Sequence, residues 1–224
     1  MAVRLISYTK PSEFEAWDNE ELLDVQDLVA YCARVSNPSN QNNTATNEKL
    51  LKYLVKHKHW SPFEMVNACL EINTTRDIAH QIVRHRSFAF QEFSQRYADP
   101  SAMGEMFVTR EARLQDSKNR QASHDIPMND KIHDQWLKRQ VDVIDKARDV
   151  YKWAIANGIA KEQARVILPE GLTRTKLYMN GSLRSWIHYI ELRADMGTQK
   201  EHREIALACA EVIADIFPMA KDII

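Results

Sequence analysis

Residues 66–97 read VNACLEINTTRDIAHQIVRHRSFAFQEFSQRY, and two periodicities follow one another within them. Val66, Ala68, Leu70 and Ile72 alternate with Asn67, Cys69, Glu71 and Asn73, the period-two pattern of a half-buried strand. Thr74 stands three residues before Asp77, where a capping hydroxyl belongs, and a helix is expected to follow. On that helix Ile78, Ala79, Ile82 and Val83 share one face, and His80, Gln81, Arg84 and His85 share the other. His80 is more simply a satisfied polar residue than a catalytic one. A strand running straight into a helix whose polar face ends in Arg-His-Arg predicts mixed, α+β structure with a ligand at that junction.

The last part, Arg84–Tyr97, holds three arginines (Arg84, Arg86 and Arg96), His85, Gln91, Glu92, Ser94, Gln95 and four aromatic rings. A guanidinium offers phosphate two parallel hydrogen bonds and stays charged at any working pH. The rings suit a heteroaromatic base, so a nucleotide fits this inventory. A solvated, salt-bridged segment fits it as well. So does a platform for single-stranded nucleic acid.

Length and composition narrow the choice. At 224 residues the chain suits one well-buried core, so a single domain spanning 1–224 is expected. Thirty basic against thirty-one acidic side chains give a net charge of -1, which weighs against a whole-surface nucleic-acid binder. No apolar run reaches the ~18 residues that span a bilayer, and MAVRLISYTK lacks a signal-like apolar region, so no membrane partner and a cytoplasmic location are expected. Cys32, Cys69 and Cys209 are widely spaced, as reduced thiols are. The chain has five glycines and no GxGxxG or GxxxxGK[ST], so any phosphate is held by side chains.

Outward from residues 66–97, Val3–Tyr8 alternates as a short strand, and Leu22, Val25, Val29 and Cys32 recur at helical spacing from about Asp18, with Cys32 a small core residue. The segment from Ser36 to Thr46 is turn-rich and predicts a loop. Leu50, Leu51, Leu54 and Val55 mark a second helix ending in KHKHW; His57 and His59, without a third ligand, make a weak zinc signal, and no metal is expected. Ser61-Pro62-Phe63-Glu64 has the form of a capping box, but the strand after it argues against one. The region 99–129 lacks sustained periodicity apart from EMFVT and is expected to be irregular and mobile.

Leu137, Val141, Ile144, Ala147 and Tyr151 trace a long helix stopped by Asn157-Gly158. A short helix carrying Arg165 ends before Pro169, Thr173–Asn180 reads as a strand, and Gly181-Ser182 is expected to turn the chain. Leu183, Trp186, Ile187 and Ile190 form an i, i+3, i+4, i+7 stripe, with Arg184 and His188 one turn apart on another face. A last helix turns Ile205, Ala208, Cys209, Val212 and Ile216 inward.

Arg84-His85-Arg86, seven residues and then Ser94 resemble the RHR-x7-S signature of the flavin-dependent thymidylate synthases, and Glu92, Arg96 and Tyr97 extend the match. The resemblance continues in Ala33–Ser36 (ARVS), in His59–Glu64 (HWSPFE), in ARVILP around Arg165, and in Ser182, Leu183, Arg184 and His188. Leu192-Arg193-Ala194-Asp195 with Gln199 and Glu201 completes it. Ala89 and Gln91 stand where many members have Ser and Asn, and Gly181-Ser182 where some have an Asn near the flavin.

That resemblance implies a small, mostly antiparallel sheet flanked by long helices, in a single-domain subunit of a homotetramer with shared active sites. It implies reductive methylation of dUMP to dTMP, with methylenetetrahydrofolate giving the one-carbon unit and FAD reduced by NADPH. Carried over by matched position, Gln81, Arg84, Glu92, Ser94, Gln95, Arg96, Arg165 and Arg193 would bind dUMP. Ser61, Arg84, His85, Arg86, Glu92, Ser182, Arg184 and His188 would hold FAD. Arg193 is the implied catalytic residue, favouring uracil that has lost its N3 proton. Ser94 is expected to hydrogen-bond substrate rather than attack it, because no His-carboxylate pair that would activate it is recognisable. A flavin-dependent oxidase, or a nucleotide binder without catalysis, is the reading that remains open on the same fold. The location expected is the cytoplasm, or that of a host for a virus-encoded chain.

Overall fold

The computed structural model describes residues 2–12 and 24–223. In chain order its elements are β1 (Ala2–Tyr8), α1 (Val25–Ala33), α2 (Asn47–Lys56), β2 (Asn67–Thr75), α3 (Arg76–Ile82) and β3 (Ala89–Glu92). There follow β4 (Arg113–Gln115), β5 (Ser123–Asp125), α4 (Lys131–Ala156), α5 (Lys161–Ala164), β6 (Arg174–Ser182), α6 (Leu183–Arg193), α7 (Lys200–Ile216) and α8 (Ala220–Ile223). Four strands form one sheet in the order β1-β2-β6-β3, and β4 and β5 make a separate ribbon. Every pairing between these strands is antiparallel. The expected architecture, a small antiparallel sheet with long helices, is the observed one. No helix among the described residues is long and apolar enough to cross a membrane.

The register explains the two faces of the sheet. Leu5, Leu70, Met179 and Phe90 lie opposite one another across all four strands and face the helices. Their side of the sheet is covered by apolar residues of α1, α2, α3, α6 and α7, among which Val29, Leu51, Ile78, Trp186, Ile205 and Ile213 are fully buried. The next row, Arg4, Glu71, Tyr178 and Gln91, faces the other way. There Arg4 grips the Glu71 carboxylate with two hydrogen bonds of 3.0 and 2.9 Å, which draws the acid down to about 2.

The stripe on α6 is fully buried at Leu183, Trp186, Ile187 and Ile190. Each such aliphatic side chain contributes about 1.5–3 kcal/mol, and the Trp186 indole loses nothing on burial because its Nε1 donates to the Ala68 carbonyl at 3.0 Å. Helix α6 is thereby fixed in rotation, and that sets where Arg184, His188 and Arg193 emerge. Gly181 fixes the neighbouring turn. The Phe88 ring lies over it so closely that a Cβ there would stand 2.7 Å from Phe88 Cε1, and Phe88 packs edge-on to Trp186 with ring centres 4.8 Å apart.

Several expectations are corrected. The residue capping α3 is Thr75, not Thr74, and its hydroxyl meets Asp77 Oδ1 at 2.6 Å. Helix α3 stops at Ile82, so Arg84 and His85 stand in the turn beyond it, and Val83 is exposed. Gly181 and Ser182 belong to β6 rather than to a turn, because Gly181 and Ser182 still pair with Ala68 and Asn67. Residues 113–125 form the β4–β5 ribbon where irregular, mobile chain was expected; Gln115 Nε2 ties its loop together by donating to the Asp116, Asn119 and Ala122 carbonyls. On α4, Ile144, Ala147 and Tyr151 are inward but Leu137 and Val141 are each 41% exposed, because that helix packs only on small clusters around Phe107 and Ala164. Cys32 is half-buried rather than core, and Leu22 and Asp18 lie outside the described residues.

Candidate functional site

The turn 84–88 joins α3 to β3 and leans on α6 at three places. The Ser87 carbonyl accepts from Ser185 Oγ at 3.2 Å, the Phe88 ring packs edge-on to Trp186, and the His85 ring stands edge-on to Tyr189 with centres 4.9 Å apart. Half-buried His85 is thus aimed inward, where Arg193 Nε donates to its Nε2 at 3.0 Å. Burial, and then the charge of Arg193, lower the pKa of His85, so its Nε2 is an acceptor at neutral pH. Among the described residues the terminal nitrogens of Arg193 have no partner, so Arg193 is held by its Nε and presents a free cationic fork.

Beneath this pair runs a line of hydrogen bonds through α6, α7 and α3. The Tyr189 hydroxyl meets His202 Nε2 at 3.1 Å, His202 Nδ1 meets Gln81 Oε1 at 3.2 Å, and Gln81 Nε2 donates to Gln199 Oε1 at 2.8 Å. Gln199 Nε2 donates to Glu201 Oε2 at 3.0 Å, and Arg113 grips the other carboxylate oxygen. His202 is fully buried; burial above all, with Arg193 and His85 adding to it, lowers its pKa to about 3. Glu201 is held below its ordinary value: burial pushes it up, but hydrogen bonds led by that of Arg113 outweigh this. Burial places the Tyr189 phenol well above its usual range.

A second group lies along the outer side of α6. Ser61 and Glu64 are exposed on a 3-10 turn (Ser61–Glu64), Glu64 pairs with Arg184, and His188 stands edge-on to Trp60 with ring centres 4.6 Å apart. Ser182 caps α6, accepting from the Ser185 amide at 3.3 Å. A third group surrounds Glu92, whose Oε1 receives Arg76 at 3.1 Å and Thr175 Oγ1 at 2.8 Å. Arg76 also meets His80 Nε2 at 3.3 Å, and His80 Nδ1 faces Glu170 at 3.0 Å. Further on, Ser94 is exposed, Arg96 lies 3.6 Å from Glu162 of α5, and Arg165 follows at the end of that helix. Gln95 is buried with its Nε2 unpartnered among the described residues. Arg84, Arg86 and Arg165 likewise have no hydrogen bond or ion pair there.

The chain therefore brings Gln81, His85 and Arg193 together, gathers Ser61, Arg184 and His188, and leaves Ser94, Arg96 and Arg165 at another edge. Two cavities of about 600 and 520 Å³ open near the N-terminus of α7, and neither is lined by any residue expected at the site. Among the described residues no group of three His, Cys, Asp or Glu could hold a metal ion; the His57 and His59 rings are 6.2 Å apart. Burial raises the pKa of Cys32, Cys69 and Cys209 alike, most at Cys209. Arg76, Arg113, Tyr189 and His202 escaped the sequence because each has a partner on another element, from 13 residues away for Tyr189 and His202 to 88 for Arg113 and Glu201. The one available hint was spacing: Tyr189 precedes Arg193 by one helical turn.

Comparison with known proteins places this geometry in context. The family model described as "Thymidylate synthase complementing protein" matches residues 20–219. The chain is similar to the flavin-dependent thymidylate synthase of Synechocystis sp., with 51% identity over 97% of this chain and 96% of that one. It is similar to the probable flavin-dependent thymidylate synthase of Paramecium bursaria Chlorella virus 1, with 48% identity over the same shares. Among solved structures, the UMP/dUMP methylase PolB from Streptomyces cacaoi aligns over 99% of this chain and 93% of its own, with a TM-score of 0.80 at 23% identity. At that identity the likeness speaks for the fold.

Proposed function

The chain belongs to the flavin-dependent thymidylate synthase family, and from that premise we propose that it methylates dUMP reductively to dTMP, using methylenetetrahydrofolate as one-carbon donor and FAD reduced by NADPH. The observation that carries this reading is Arg193, clamped through Nε by an uncharged His85 while its terminal nitrogens stay free. A fixed cation beside uracil favours the form that has lost its N3 proton, and the ring's carbon 5 becomes nucleophilic without covalent attack by the enzyme. The cysteines support that division: all are held as thiols by burial, and among the described residues none has a basic partner.

The donors fit a dinucleotide cofactor. Arg84 and Arg86 reach solvent unpaired, and Arg184 and His188 stand on one side of α6 beside Ser61, a cationic and hydroxyl set suited to a pyrophosphate. Arg184 would share or release Glu64 to join them. FAD bound there would supply the redox chemistry, and the chain's own residues would bind, orient and polarise. On this reading Gln81, Arg84, Glu92, Ser94, Gln95, Arg96, Arg165 and Arg193 hold dUMP; Ser61, Arg84, His85, Arg86, Glu92, Ser182, Arg184 and His188 hold FAD. Arg76 and Thr175 keep the Glu92 carboxylate oriented, and the unpaired Gln95 amide awaits an acceptor.

The whole chain acts as one domain of a homotetramer in this proposal. The scattered site groups support that, because only neighbouring subunits would close them, as do Trp136 and Trp153, exposed on α4 at 45% and 59%. The test is dUMP-dependent tritium release from carbon 5 by the flavin-loaded protein, with sedimentation in parallel. Ser94→Ala is expected to keep measurable turnover while Arg193→Ala loses far more; equal and total loss in both would refute the assignment of roles. An active, flavin-bound monomer would refute the shared site.

A further inference from the structure

The line from Glu201 to Tyr189 has a direction, and one charge sets it. Glu201 is ionised and can only accept, so Gln199 must turn its Nε2 toward it and its Oε1 away. Gln81 must then meet Gln199 Oε1 with its own Nε2, which leaves Gln81 Oε1 facing His202 Nδ1. An uncharged imidazole carries one proton, so Nδ1 donates it to Gln81 and Nε2 receives the Tyr189 hydroxyl. Reversing Gln81 would set two oxygens against each other at Gln199. Reversing Gln199 as well would set an amide oxygen against a carboxylate.

We propose that His202 is a positioning residue of the nucleotide site: with Glu201 at the other end of the line, it fixes which edge the Gln81 amide presents to the ligand. Through Tyr189 it also braces the His85 ring that receives Arg193. This rests on the functional reading above, in which Gln81 touches dUMP; His202 itself is fully buried and touches no ligand. Without His202 the Gln81 Oε1 would lose its partner and the amide would be held by Gln199 alone, free to swing about that one bond, so its contact with the nucleotide would weaken while the reacting atoms stay in place.

The experiment measures KM for dUMP and kcat in flavin-loaded wild type, His202→Leu, His202→Asn and His202→Gln. His202→Leu is expected to raise KM by about 10-fold, the worth of one well-made hydrogen bond, with kcat changed by less than about 3-fold. The Asn amide reaches the place of Nδ1 and keeps the donor to Gln81, so His202→Asn should restore KM to within about 3-fold of wild type. The Gln amide reaches the place of Nε2, serves Tyr189 alone, and should leave KM high. Equal KM values for the Asn and Gln variants would overturn the proposal, a comparison that stands even if the Leu variant does not fold. Wild type whose flavin spectrum ignores dUMP would bring down the functional reading and this proposal together, and needs no variant to be recognised.

Discussion

At the inner end of α6, Arg193 is held by His85, and Tyr189 continues into His202, Gln81, Gln199 and Glu201, an arrangement in which almost every polar atom has a protein partner. One residue to either side of His85, Arg84 and Arg86 reach solvent with none among the described residues. The same five-residue turn thus contributes to a finished structure and to an unfinished one. Buried polar groups must be satisfied within the fold, whereas exposed guanidiniums are free to wait for a ligand or a neighbouring subunit. The inner group is expected to govern stability and chemistry together, the outer group binding alone.

The sharpest way to break that contrast is Arg193→Ala. Removal of one preorganised charge is expected to lower the rate of tritium release by about 10³-fold, with the fold intact by circular dichroism. Arg113→Ala comes next: it leaves the Glu201 charge nearly buried and unpaired, and is expected to cost about 3 kcal/mol in denaturant unfolding. If Arg113→Ala unfolds like wild type, the inner group is not the stabilising unit described here. Gly181→Ala tests the clamp of the turn on α6, since the new methyl meets the Phe88 ring; roughly 1–3 kcal/mol of stability should be lost.

The pH dependence sharpens the same picture. His202 has a folded pKa of about 3 against an ordinary 6.5, so the unfolded chain binds its proton first as pH falls. Stability from this group is complete above about pH 6.5 and declines by about 1.4 kcal/mol per pH unit down to pH 3, and His202→Asn should flatten that limb. Glu71, depressed from 4.5 to about 2 chiefly by Arg4, has the ordinary acid sign: its contribution is present above pH 4.5 and is lost as pH falls through about 2. The smallest effect belongs to the outer group. Arg84→Ala should change stability by less than about 0.5 kcal/mol while flavin or nucleotide titration shows weaker binding. A large loss of stability there would erase the distinction.

Much of the fold was legible because it rests on period. The alternation from Val66 to Asn73 gave the central strand, the Leu183–Ile190 stripe gave α6, and both are buried as expected. Periodicity failed where burial depends on what lies opposite: Val83 ends a helix already past its core, and Leu137 and Val141 are each left 41% exposed. Of the candidate site, the residue types and their order were legible in RHR-x7-S and Leu-Arg-x-Asp, but their pairings were not.

By itself the sequence determined the succession of strands and helices, the family, and the chemical character of the side chains at stake, since local periodicity and residue type are written in neighbouring positions. Only the tertiary structure decided that His85 serves Arg193, that a buried His202 orients Gln81, and that Gly181 must lie bare beneath Phe88. Those facts join positions as many as 121 residues apart, and hydrogen bonds act over about 3 Å of space, a distance that chain order leaves unspecified until the core has packed.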